Sequence, residues 1–157
     1  MPPGDFQSSV GRQRAVWVQP GGKLVFNGEP VDIGAILIES GTALVEPFLQ
    51  IEDTLSRWEV RIPIVTIPGG GFVLKAVATA HLAAIGWDDD ADSSIWAIDE
   101  VHTEVDVNSQ MFFVVPHAAY LGAGGGSIGR ISYHVTIFLG GTDTFRRRET
   151  LEALERV

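Results

Sequence analysis

Asp88, Asp90 and Asp92 occupy alternate positions in the run Asp88-Asp89-Asp90-Ala91-Asp92-Ser93. Calcium-binding loops use this spacing to bring carboxylate oxygens onto one hard cation. With Asp88 in the first position, Asp99 falls on the twelfth, where an EF-hand loop carries a bidentate glutamate. Ser93 stands at the sixth position, where such a loop has glycine, and the flanks read as strands rather than helices. The run therefore reads first as an acidic, solvated hairpin turn, and second as a calcium set made of Asp88, Asp90, Asp92 and Asp99. Trp87 and Trp96 bracket it, and an exposed aromatic pair there would suit the apolar faces of sugar rings. That combination defines the alternative function, a calcium-assisted carbohydrate-binding module.

Other chemistry-bearing residues form weaker patterns. The four histidines are His81, His102, His117 and His134, and no two share the i,i+2 spacing of a strand or one turn of a helix. Local metal-ligand spacing is missing, so only convergence in space could make a site of them. Gly125-Gly126-Ser127-Ile128-Gly129 matches the nucleophile elbow in form. That motif needs a strand entering and a helix leaving; here a glycine run precedes and a strand follows, which makes Ser127 a loop residue. Glu100, Glu104 and Asp106 alternate along one strand with no sign of a cleft. No phosphate-binding loop, dinucleotide fingerprint or zinc-protease helix occurs. The chain has no cysteine, which excludes disulfides, thiolate metal sites and a cysteine nucleophile. A non-enzymatic role without an obligatory cofactor is the expectation.

The elements that would position these residues are short apolar runs separated by glycine, proline and acidic turns. Ala15–Val18 and Leu24–Phe26 flank Gln19-Pro20-Gly21-Gly22, read as a hairpin turn, and Asn27-Gly28 suits a type I′ turn. Ile33–Glu39 and Thr42–Gln50 are divided by Ser40-Gly41, read as another turn. In Trp58–Ile67, residues Trp58, Val60, Ile62 and Ile64 share a face opposite Glu59, Arg61 and Pro63. Phe72–Ile85 fits period two through Phe72, Leu74, Ala76, Ala78, Ala80 and Leu82, and also fits a helical stripe; its strand-like neighbours favour the strand. Ser94–Asp106, Met111–Val115 and Ile131–Leu139 complete the series, with Pro116 ending its strand or placing it at an edge.

The predicted fold is mainly β, an antiparallel β-sandwich of jelly-roll or immunoglobulin-like type over residues 14–141. A polar N-terminal arm precedes it at 1–13, and a short C-terminal helix follows at 142–157, with Leu151, Leu154 and Val157 on one face. The arm has Phe6 and Val10 as apolar anchors and Arg12 and Arg14 as cations for a partner's acids. At 157 residues the chain has the size of one domain. Its net charge of −9 argues against a nucleic-acid or anionic-membrane partner. Met1–Arg14 lacks the apolar run of a signal peptide, so a soluble product, cytoplasmic or virion-associated, is expected. Arm, helix and missing catalytic motifs together predict a structural subunit. Its partners would be copies of itself as a homo-oligomer, or a larger assembly such as a bacteriophage capsid or tail.

Overall fold

A computed structural model describes residues 8–45, 55–86, 94–122 and 128–141. The described chain is mainly β, with ten strands and antiparallel pairing throughout. These are β1 (Ser8–Val18), β2 (Lys23–Phe26), β3 (Glu29–Asp32), β4 (Ala35–Val45), β5 (Ser56–Glu59), β6 (Ile62–Thr66), β7 (Phe72–Gly86), β8 (Ser94–Val105), β9 (Met111–Gly122) and β10 (Ile128–Gly140). One sheet runs β1-β4-β10-β7. In the other, β9 is central: β8 lines one edge, and β5 then β6 follow each other along the second. Strands β2 and β3 form a small hairpin whose Phe26 ring rests 5.2 Å from that of Phe72 on β7.

Alternation builds the core. On β10, Ile131, Tyr133, Val135, Ile137 and Leu139 all point inward and are buried. Ile62, Ile64, Phe112, Val114 and Tyr120 of the opposing sheet join the same cluster. Each such aliphatic side chain contributes about 1.5–3 kcal/mol when fully removed from water. Phe72–Gly86 is a strand, with Ala76, Ala78, Ala80 and Leu82 packed on the core as the period-two pattern predicts. A register shift opposite Phe138 and Leu139 puts Val73 on the core in place of Phe72 and Leu74. The Asn27-Gly28 turn is also as predicted, with φ of 52° and 83° at its two central residues.

Three sequence expectations change. The Gln19–Gly22 segment does not join a β1–β2 hairpin, because β1 pairs with β4 and β2 with β3. Ser40-Gly41 is not a turn but lies inside β4, opposite His134 and Tyr133 of β10. Gly41 is needed there for space: a Cβ would fall 2.7 Å from the Tyr133 hydroxyl. Pro116 neither ends β9 nor lies at an edge. Its carbonyl accepts from the Val60 amide, so its missing N–H falls on the side where β5 gives way to β6 and the ladder is already interrupted.

Residues 8–13, expected in the arm, belong to β1. Arg12 and Arg14 point inward from it toward Glu39, which is wholly buried. Arg14 Nε donates to Glu39 Oε1 at 2.7 Å, and Arg12 Nε stands 3.3 Å from Oε2 as an ion pair. The same guanidinium groups donate to the Pro63 and Ile64 carbonyls of β6. The cluster thus ties β1 and β4 of one sheet to an edge strand of the other. It explains a buried carboxylate, since a charge is tolerated inside only when paired and hydrogen-bonded. The helix expected at 142–157 lies outside the described residues.

Candidate functional site

Among the described residues, the outer face of the β5–β9–β8 sheet carries the densest set of titratable groups. Strand alternation puts Glu100, His102 and Glu104 on the same side of β8, with Asp99 at a bulge between Ile98 and Glu100. His117 on β9 lies in register with Glu59 of β5 on one side and Glu100 of β8 on the other. The turn after β8 sets this register. Asp106 Oδ1 accepts from the amides of Asn108 (2.8 Å) and Ser109 (3.2 Å), and the Gln110 amide returns to the Asp106 carbonyl. Those two backbone amides lower the Asp106 pKa below the ordinary aspartate value.

Within the face, His102 Nδ1 and His117 Nε2 are 2.7 Å apart, with the rings edge to face. His102 Nε2 lies 3.2 Å from Glu104 Oε2, and His117 Nδ1 lies 3.5 Å from Glu100 Oε1. Glu59 Oε1 approaches His117 Nε2 to 3.7 Å. Arg61 pairs with Glu104 at 2.9 Å and lies over the Phe113 ring, while Arg57 holds Asp99 at 2.8 Å. Beside His117 an open cleft of about 330 Å³ is lined by Arg57, Trp58, Glu59, Asp99 and Glu100. Among the described residues, Glu59, His102 and His117 could share one ion, their donor atoms lying within 4.8 Å of one another.

The outer face of β1-β4-β10-β7 has the opposite character. Register aligns Trp17, Ile36, Phe138 and Lys75 in one row, and Ala15, Ile38, Thr136 and Val77 in the next. Trp17 is 50% exposed and Val77 49%. No carboxylate points outward from this sheet among the described side chains; Lys75 and Arg130 are its charged groups.

The residues singled out from sequence fare unevenly. Asp99 is described and is engaged by Arg57, while Asp88, Asp90, Asp92 and Trp87 lie outside the described residues. Trp96 is buried, 6% exposed, between Trp58 and Tyr120 at 5.7 and 5.0 Å. An interior ring offers no face to a sugar, so Trp96 is withdrawn from a stacking role. Arg12 and Arg14 spend their charge inside the chain on Glu39. Phe6 and the Val10 side chain lie outside the described residues. Sequence spacing missed the meeting of Glu59, His102 and His117. The signal that could have found it is the Asp106–Gln110 turn, since counting back from it sets Glu100 opposite His117.

No described helix is long and apolar enough to cross a membrane. The chain matches no family model, no curated protein and no solved structure.

Proposed function

We propose that this protein is a structural subunit, an antiparallel β-sandwich of jelly-roll or immunoglobulin-like type that associates with a second copy of itself. Such units build or decorate larger particles, as bacteriophage capsid and tail subunits do. One observation supports this reading above the others: the acid-free outer face of β1-β4-β10-β7 with its band of Trp17, Ile36, Ile38, Phe138 and Val77. A sheet with one wet face alternates apolar and polar residues, whereas in this half of the sheet Trp17, Ile36, Ile38, Phe138 and Val77 lie on the outer side, with Lys75 and Thr136 as the polar members of their rows. In a chain of net charge −9 it is also the described sheet face on which two copies could meet without opposing carboxylates.

Light scattering after size exclusion tests it. The full chain is expected at twice its 16.9 kDa mass, and Val77→Glu and Trp17→Glu at the monomer mass. Removal of residues 1–7, which stops short of β1, tests the arm separately. A full chain that stays monomeric at its highest soluble concentration sinks self-association.

A further inference from the structure

The His–Glu cluster lies on the sheet opposite the apolar band and raises a different question. His102 and His117 each present an outer ring nitrogen to a carboxylate, Glu104 at 3.2 Å and Glu100 at 3.5 Å. An ionised carboxylate only accepts, so the hydrogen bond from His102 Nε2 to Glu104 leaves His102 Nδ1 with its lone pair toward His117. His117 Nε2 stands 2.7 Å from it, so in the metal-free protein the two inner nitrogens share one proton in a hydrogen bond. A metal ion that takes the place of this proton finds two imidazole lone pairs aimed at one point. Glu59 Oε1, 3.7 Å from His117 Nε2, adds a negative charge at the same spot.

We propose that Glu59, His102 Nδ1 and His117 Nε2 bind one divalent transition-metal ion, zinc or a chemically similar ion, with water completing the coordination. The donor atoms already lie within 4.8 Å of one another. A tetrahedral zinc with bonds of about 2.0–2.1 Å holds two nitrogens roughly 3.3 Å apart, so the rings need separate by only about half an ångström. Two imidazoles and one carboxylate suit zinc, cobalt, nickel or copper; calcium and magnesium favour all-oxygen sets. Glu100 and Glu104 do not touch the ion. They orient the rings, as carboxylates behind metal-bound histidines do. Charge favours occupancy too: Arg61 answers Glu104 and Arg57 answers Asp99, leaving Glu59 and Glu100 as the negative excess around the rings. Glu59, His102 and His117 sit on three hydrogen-bonded strands, so binding orders side chains rather than backbone.

Cobalt(II) reports this directly, because tetrahedral nitrogen–oxygen coordination gives intense visible ligand-field bands that the hydrated ion lacks. Chelator-treated full-length protein, titrated near neutral pH, is expected to develop those bands to one equivalent and to lose them when zinc is added. His102→Ala and His117→Ala abolish them, while circular dichroism shows both variants folded. Glu59→Gln weakens binding at least tenfold. Glu100→Gln and Glu104→Gln each weaken it about 10–100-fold, the range for removing a carboxylate behind a ligand. His134→Ala, on the opposite sheet, leaves the titration unchanged. Cobalt that stays hydrated in wild-type protein, or binds equally well to His117→Ala, overturns the proposal. So does a nitrogen-15 spectrum in excess zinc in which the two rings still share a single proton.

Discussion

Glu39 is the most exacting residue of the described structure, a carboxylate with no exposure to solvent whose partners come from two other strands. Removing one member of a buried ion pair leaves the other charged and unsolvated, which costs about 3–5 kcal/mol. Glu39→Ala is therefore expected to lower stability by about that amount in urea titration, far more than truncation of an exposed glutamate. Tyr133 donates its hydroxyl to Glu39 Oε2 at 3.0 Å, and Tyr133→Phe should cost about 1.5–3 kcal/mol, the range for a hydrogen bond to a charged group. Burial, first among several causes, raises the Tyr133 pKa above the ordinary value of 10.0. The folded state thus binds this proton more tightly than the unfolded chain does. Its contribution is complete below the unfolded value and fades as pH rises through the folded one. Thermal melts across the alkaline range should show a steeper loss of stability in the wild type than in Tyr133→Phe.

Strands in this molecule are placed by their turns and by what their inward positions must reach. The β8–β9 hairpin illustrates the first. Asp106 caps its turn through the Asn108 and Ser109 amides, and the resulting register sets Glu100 opposite His117. Asp106→Ala should leave the strands paired but speed amide exchange at Asn108 and Ser109. In the wild type the same loosening should set in as pH falls below the ordinary aspartate value toward the lower folded one, since protonation removes the acceptor. The second influence marks the limit of sequence reading. Alternation located β8 and β10 because one face of each strand is dry, a property written locally in residues such as Ile131, Val135 and Ile137. The run Trp58–Ile67, read as one strand, is instead divided into β5 and β6, and β9 continues past Val115 to Gly122. Ser40-Gly41 read as a turn because the reason for a glycine there, the Tyr133 ring, lies 92 residues along the chain and is visible only once β4 and β10 are paired. Arg12 and Arg14 looked like cations for a partner for the same reason: Glu39, their acid, stands on another strand. The His102–His117 contact was hidden in the same way, for it lies on a diagonal between strands and leaves no spacing within either one.

At the scale of the whole molecule, the two outer faces are chemically unlike, and the difference carries a prediction. The β5–β9–β8 face gathers Glu59, Asp99, Glu100 and Glu104, whereas no described carboxylate points out from β1-β4-β10-β7. Each copy carries −9 overall, so two copies repel at long range whichever faces they present. If they meet through the apolar band, contact gains little from ion pairs, and the main electrostatic term is this general repulsion. Salt shortens the screening length from about 30 Å at 0.01 M to about 8 Å at 0.15 M and weakens that term. Dimerisation through Trp17, Phe138 and Val77 should therefore tighten as sodium chloride is raised over that range. Association of the acidic face with Lys75 and Arg130 of a neighbour would loosen instead, because screening would then remove attraction. Sedimentation equilibrium at several salt concentrations separates the two by sign alone. Loss of the dimer on adding salt would move the interface off the apolar band, even if the chain self-associates.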